Sequence, residues 1–373
     1  MADVIEYAKN LIRFDSTSAL SNAEVSEHVE GVLGRLGCET ERIEYQADGV
    51  LKVCVLGRKG RGSGGLAWFG HTDVVPAHDW AVPEHGAFEP VVREGRLYGR
   101  GSTDMKGPIA AMLAALAEVD DLHRPVYVSC TADEEVGHVG AIEIAKRSEL
   151  YRELVAGGAR GIVGEPTGLD VVHAHKGGCL IQATARGKAG HSGTREGVNA
   201  NLKMIPFLTD LKALWDETES DPRWMDERFD PPTVRMNVGI NDHNEATNIT
   251  SPISVCMVNL RPLPGAGELP ERVMELARAH GLEAEQLIRH APFWREPDSA
   301  FVSRCVELAS GRPARTVSFG TEACNFDGVK DLVVLGPGDI AQAHKNDEWI
   351  SLEQLKRGQE VYANLIRHFC QPS

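Results

Sequence analysis

Six side chains able to bind metal or move protons stand at five separated points of the sequence. They are His71 in FGHTDVVP, Asp104 in YGRGSTDMKG, Glu134 and Glu135 in TADEEVG, Glu165 in VGEPTG and His344 in QAHKNDEW. Taken alone, His71 and Asp73 read as a polar turn closing a strand, and the paired glutamates as solvated loop acids. Convergence changes that reading. Counting one member of the Glu-Glu pair, the set is two histidines and three carboxylates. That is what two divalent ions need if one carboxylate bridges them, giving each ion one histidine, one terminal carboxylate and the shared one. Successive side chains of an extended backbone diverge, so one glutamate of the pair is expected as a ligand and the other as a free base. A free carboxylate beside the activated water is placed to take its proton, and partial burial raises its pKa into the useful range. Asp73 is positioned to orient the His71 ring from behind.

These groups need elements to hold them, and the sequence supplies a βαβ rhythm. Short apolar runs bounded by glycine or turn residues (LKVCVLG, GLAWFG, RPVYVSCT, ARGIVG, DLVVLGPG) read as buried strands. Between them lie helical patterns: VIEYAKNLIRF, AEVSEHVEGVLGRLG, the Ala-rich MKGPIAAMLAALAEV, and VGAIEIAKRSEL. This is the pattern of an α/β fold with a mostly parallel sheet covered by helices. The candidate residues fall just beyond the carboxyl ends of the strands, where open α/β sheets build their sites. From about Gly177 the texture changes to alternating strands (CLIQATARGKAG, TVRMNVGI, ISVCMVNLRPLP) and two helices, and after about residue 290 it reverts. The expected organisation is a metal domain split into residues 1–177 and 290–373, with an inserted α+β domain at 178–289.

Bulk properties narrow the function. A chain of 373 residues, 42% of them hydrophobic, exceeds a single core and fits two domains. A formal net charge of -15 argues against nucleic acid and anionic membrane as partners. The opening MADVIEYAKN carries acids early and no apolar leader, and no window of 18 apolar residues follows, so a soluble cytoplasmic protein is expected. Eight cysteines without a CxxC pair suit reduced, buried thiols.

In their order, GHTDVVP, YGRGSTDMKG, DEEVG, GEPT and AHKNDE resemble the M20 family of dinuclear zinc metallopeptidases and amidohydrolases, across nearly the whole chain. The resemblance implies a zinc-exopeptidase-like catalytic domain with an inserted lid that also dimerises. It implies that His71, Asp104 and Glu165 bind one ion, that His344, Glu135 and the shared Asp104 bind the other, and that Glu134 is the general base with Asp73 behind His71. It also gives roles to residues that otherwise read blandly. His191 in KAGHSG would stabilise the tetrahedral intermediate from the neighbouring subunit, Asn248 in EATNITSPIS would contact substrate, and Arg261 in NLRPLP would bind the substrate carboxylate. FGTEACNFDG resembles the branch of the family that deacetylates N-acetylornithine, with Glu322 facing the ammonium of a basic side chain. The implied cofactors are two divalent ions, zinc or cobalt. The implied substrate is a small N-acyl-L-amino acid: N-acetyl-L-ornithine, of arginine biosynthesis, first and N-acetyl-L-citrulline second. Succinyl-diaminopimelate, other N-acyl amino acids and peptides follow.

Overall fold

The computed structural model describes residues 3–372. The chain divides into two compact units, Met1–His173 with Arg295–Arg315 and Thr321–Ser373, and Ala174–Trp294 with Thr316–Gly320. The main crossings between them fall after His173 and after Trp294. The short excursion Thr316–Gly320 into the second unit has no signal in the sequence.

In the first unit the sheet runs Glu39–Ala47, Val50–Lys59, Val126–Thr131, Leu66–His71, Arg160–Val163, Leu332–Val334. The last four are parallel to one another, and Val126–Thr131 is antiparallel to Val50–Lys59. Leu66–His71 and Val126–Thr131 are buried at every residue, which is why they read as continuous apolar runs. The first two strands form an antiparallel edge hairpin whose register runs from Glu39↔Arg58 to Ala47↔Val50. Its two-residue turn is Asp48-Gly49, with φ of 48° and 79°, the left-handed pair such a tight hairpin requires.

Helices Val4–Ile12 and Leu352–Cys370 both pack on Lys106–Ala117. That Ala-rich helix is buried on all sides from Lys106 to Leu116, and an apolar circumference is what a fully enclosed helix needs. Pro108 is tolerated because it sits in the first turn, where its missing N–H has no intrahelical partner to lose. The helix expected over 139–150 is two helices, Val139–Arg147 and Glu149–Ala156. Ser148 breaks them, accepting a hydrogen bond from Tyr151 N at 2.9 Å.

The second unit is a four-stranded antiparallel sheet in the order Arg235–Asn241, Ile253–Arg261, Gly178–Arg186, Glu283–His290. Helices Ala200–Ser220 and Leu269–Ala279 pack on it, and its separate core includes Ile181, Phe207, Leu211, Val258 and Val273. Ser254, Cys256, Val258 and Leu260 alternate inward along one strand, as a one-sided sheet demands. Among the described residues no helix is long and apolar enough to cross a membrane.

A close approach fixes the strand that carries Glu165. A Cβ on Gly164 would lie 2.2 Å from Cζ2 of Trp68, an indole with 0% exposure and no room to retreat. Gly164→Ala should therefore destabilise the protein by about 1–3 kcal/mol, read as a lower urea midpoint at unchanged slope. An unchanged midpoint would mean that the Trp68 pocket is looser than its packing shows.

Candidate metal centre

All six candidates belong to the first unit and meet beyond the carboxyl ends of its parallel strands. His71 is the last residue of Leu66–His71, Glu134 and Glu135 follow Val126–Thr131, and Glu165 follows Arg160–Val163. Asp104 precedes the buried helix Lys106–Ala117, and His344 follows the short helical turn Ile340–Gln342. The centre is therefore assembled from segments on both sides of the second unit.

Asp104 joins the two histidines. Its Oδ1 lies 3.0 Å from His71 Nε2 and its Oδ2 lies 3.4 Å from His344 Nε2. Around this axis, Glu165 Oε1 is 3.7 Å from His71 Nε2, and Glu135 Oε2 is 3.1 Å from His344 Nε2. Ligand atoms of His71, Asp104 and Glu135 lie within 4.8 Å of one another, as do those of His71, Glu134 and Glu165. The adjacent glutamates lie in a turn and not in the extended segment expected, and their side chains part there: Glu135 turns to His344, whereas Glu134 Oε1 lies 3.2 Å from His138 Nε2. His138, four residues beyond Glu134, escaped the sequence reading.

Backbone and buried charges hold this geometry. Glu348, 0% exposed, grips the loop that ends in Asp104. It accepts from Thr103 N at 2.8 Å and Asp104 N at 3.0 Å on Oε1, and from Gly101 N at 2.9 Å and Arg100 Nη1 at 2.8 Å on Oε2. Asp73 works differently from expectation. His71 Nδ1 donates to the carbonyl oxygen of Asp73 at 2.9 Å, while the Asp73 carboxylate stands 3.6 Å away. That carboxylate instead accepts from Ser18 Oγ at 2.8 Å and from the backbone N–H groups of Glu134 at 3.1 Å and Glu135 at 3.3 Å. It aligns the acidic pair. Beneath the pair, Lys52 Nζ meets Asp133 Oδ1 at 2.8 Å, both side chains almost wholly buried. The sequence motif AHKNDE contains Glu348, but nothing in it separates a clamp from a surface acid.

The donor set fits divalent cations. Because His71 spends its Nδ1 proton on a carbonyl, Nε2 turns toward two carboxylates, an arrangement that requires positive charge on or beside that nitrogen. Without a cation, protons serve. Burial, reinforced by the negative charges of Asp104 and Asp73, pushes Glu134 up to about 7. Burial and Asp104 push Glu135 up to about 7 as well, and burial with Asp104 raises Glu165 well above the carboxylate range. Hydrogen bonds to Asp104 and Glu135 raise His344 to about 10. Although burial opposes ionisation, the hydrogen bonds from His344 and His71 hold Asp104 below its ordinary value.

Glu322 departs from its expected role. It is fully buried, its Oε2 accepts from Thr131 Oγ1 at 2.7 Å, and its Oε1 has no hydrogen-bond partner. Burial, then the nearby Glu134, pushes it up to about 8. Enclosed in this way, the carboxyl supports the Thr131 corner and presents no surface to solvent. In the second unit, His191 and Asn248 lie exposed on adjacent loops. His191 bridges to Ile249, its Nδ1 accepts from Gly193 N at 3.0 Å, and the Asn248 carbonyl accepts from Ser192 N at 3.0 Å. Arg261 ends the strand Ile253–Arg261, exposed; Cβ atoms built on Gly178 and Gly320 would lie 3.5 and 3.7 Å from its Nη1.

A two-unit α/β chain with a centre of this composition has the donor chemistry of a divalent-metal site. The chain belongs to peptidase family M20/M25/M40, whose sequence pattern it matches over residues 67–368. It is 36% identical over 380 residues to acetylornithine deacetylase of Myxococcus xanthus, covering 96% of each protein. It is 32% identical to acetylornithine deacetylase of Proteus mirabilis, covering 98% of this chain and 96% of that one. In fold it is similar to the M20 family metallo-carboxypeptidase of Sulfolobus solfataricus, with a TM-score of 0.79, 16% identity and 99% of each chain covered. The di-peptidase Dug1p of Saccharomyces cerevisiae superposes with a TM-score of 0.75 at 15% identity, over 98% of this chain and 95% of that one. This protein is a metal-dependent hydrolase acting on amides, and divalent metal ions are its cofactors.

Two outcomes follow from these charges. Carboxyls raised in the folded state stabilise it while protonated, so Glu134 and Glu135 make the metal-free protein lose stability as pH rises from about 4.5 to about 7. The raised His344 continues that loss from about 6.5 to about 10. A divalent ion competes with those protons, so the rise in melting temperature on adding zinc or cobalt should be larger at pH 8 than at pH 5.5. An equal rise at both would show that the cluster does not bind the added ion. Separately, Glu348→Gln breaks a buried pair with Arg100 and should cost about 3–5 kcal/mol in chemical unfolding. Metal-free wild type and variant with equal stability would remove the clamp assignment.

Proposed function

We propose that this hydrolase removes the acetyl group of N-acetyl-L-ornithine, using two zinc or cobalt ions. The observation that carries the metal assignment is Asp104, one oxygen toward each histidine. A bridging carboxylate balances the charge of two cations held by one histidine and one terminal carboxylate each. In this reading His71 and Glu165 hold the first ion, and His344 and Glu135 the second. The substrate assignment rests on relatives such as the two described above, which are acetylornithine deacetylases.

Bound divalent ions supply Lewis acidity toward the acyl carbonyl and ease the ionisation of water. Glu134 accepts the proton of the attacking water and delivers it to the leaving amine. Asp73 holds its backbone still while it does so. His191 donates to the oxyanion of the tetrahedral intermediate, a contribution that for one donor reaches about 3–4 kcal/mol. Arg261 presents its planar fork to the substrate carboxylate, and Asn248 contacts the substrate. The second unit serves as lid and as the contact surface of a homodimer, His191 acting on the partner's centre, and exposed Leu202, Ile205 and Ile240 on that unit support such an interface.

The test is a kinetic panel with Glu134→Gln as the reference variant. N-acetyl-L-ornithine should give the highest kcat/KM against N-acetyl-L-citrulline, N-acetyl-L-methionine, succinyl-diaminopimelate and dipeptides. Glu134→Gln should retain its metal while kcat falls at least about 10²-fold. Preference for N-acetyl-L-citrulline overturns the substrate, and a fully active Glu134→Gln overturns the mechanism.

A further inference from the structure

Glu134 needs more than a pKa; it needs one oxygen free and the other fixed. We infer that His138 and Asn325 are positioning residues for this base: Asn325 sets the tautomer of His138, and His138 donates Nε2–H to Glu134 Oε1, reserving Oε2 for the transferred proton. The inference rests on the reading of Glu134 as the base.

The contacts define the direction of each hydrogen bond. Asn325 Nδ2 lies 3.0 Å from His138 Nδ1, and the same amide nitrogen lies 3.4 Å from the Glu322 carbonyl oxygen. An amide nitrogen can only donate, so Nδ1 accepts and the ring proton resides on Nε2. Cys324 Sγ also lies 3.7 Å from Nδ1, while its thiol proton is directed to the Thr321 carbonyl oxygen at 3.4 Å. Nε2 faces Glu134 Oε1 at 3.2 Å, with both side chains at most 10% exposed.

The backbone has been bent to make this contact. His138 has a φ of 56° and follows Gly137 at 125°, and the N–H groups of both curl back to the Glu134 carbonyl at 3.2 and 3.3 Å. A left-handed non-glycine residue persists where its surroundings hold it, and such residues gather at functional sites. The bland role for a histidine at the start of helix Val139–Arg147 would be to cap it, but its side chain makes no capping bond. Its ring is turned to the base instead. Rotation of a carboxylate about its last bond exchanges two oxygens, and a donor on one of them stops that exchange and keeps the acceptor in line with its proton.

The tests combine a tautomer measurement with kinetics on the best substrate of the panel above. In metal-free protein, ¹⁵N shifts of the His138 imidazole should show protonated Nε2 and bare Nδ1, and Asn325→Leu should abolish that bias. His138→Leu should lower kcat by about 10- to 10²-fold, with KM and metal content unchanged. His138→Gln, whose amide nitrogen replaces Nε2, should recover most of the loss; this also decides the matter if the leucine variant fails to fold. Protonated Nδ1 in the wild type, full activity of His138→Leu, or no rescue by glutamine overturns the inference. Glu134→Gln measured in parallel keeps the two ideas apart: if it remains active, the base reading fails, whereas if it alone is inactive, the positioning role fails.

Discussion

Negative charge held out of water is the constraint on which the rest depends. Asp104, Glu134, Glu135 and Glu165 converge around His71 and His344, with His138 against Glu134, and none can be ionised cheaply there without positive charge beside it. The fold answers with fixed donors. Glu348 collects four N–H groups and thereby shapes the loop that presents Asp104, and Asp73 collects the N–H groups of the acidic pair. Each clamp uses a second buried carboxylate to hold the first in place, which adds to the charge the site must carry. The divalent ions then complete an electrostatic arrangement that the protein alone leaves strained.

Much of this was legible in sequence, for a physical reason. Strands buried on both faces must be apolar throughout, so GLAWFG, VYVSCT and GIV announce the parallel sheet, and polar residues directly beyond them announce its functional edge. Helical runs with one apolar face were equally visible. What stayed hidden depends on partners far away in the chain. Asp48-Gly49 marks a hairpin, yet its flanking strand Glu39–Ala47 is mostly polar, as an edge strand can be, and it did not read as a strand. The break at Ser148 needed Glu41, which accepts from Ser148 Oγ, Glu149 N and Leu150 N. Arginine and glutamate at 100 and 348 look like surface charges until the fold encloses them together.

The site shows the same division. Residue types and order sufficed to gather the donors, because metal chemistry restricts which side chains serve. Direction was beyond the sequence: that Asp73 turns its carboxylate to the acidic pair while its carbonyl takes the His71 proton, or that Glu322 is sealed beneath Thr131, depends on rotamers set by packing. Fine placement of a side chain is a tertiary property even where its presence is a sequence property.

The catalytic unit is interrupted by the whole second unit, and this has a consequence for its birth on the ribosome. A nascent chain emerges amino terminus first, so His71, Asp104, the glutamates and Glu165 appear long before His344 and Glu348. Until the last segment leaves the exit tunnel, Leu332–Val334 cannot add to the sheet beside Arg160–Val163, and the loop before Lys106 has no clamp. The half-made cluster lacks His344. Maturation of the metal centre is thereby tied to completion of the polypeptide, and an aborted translation product carries no working copy of it.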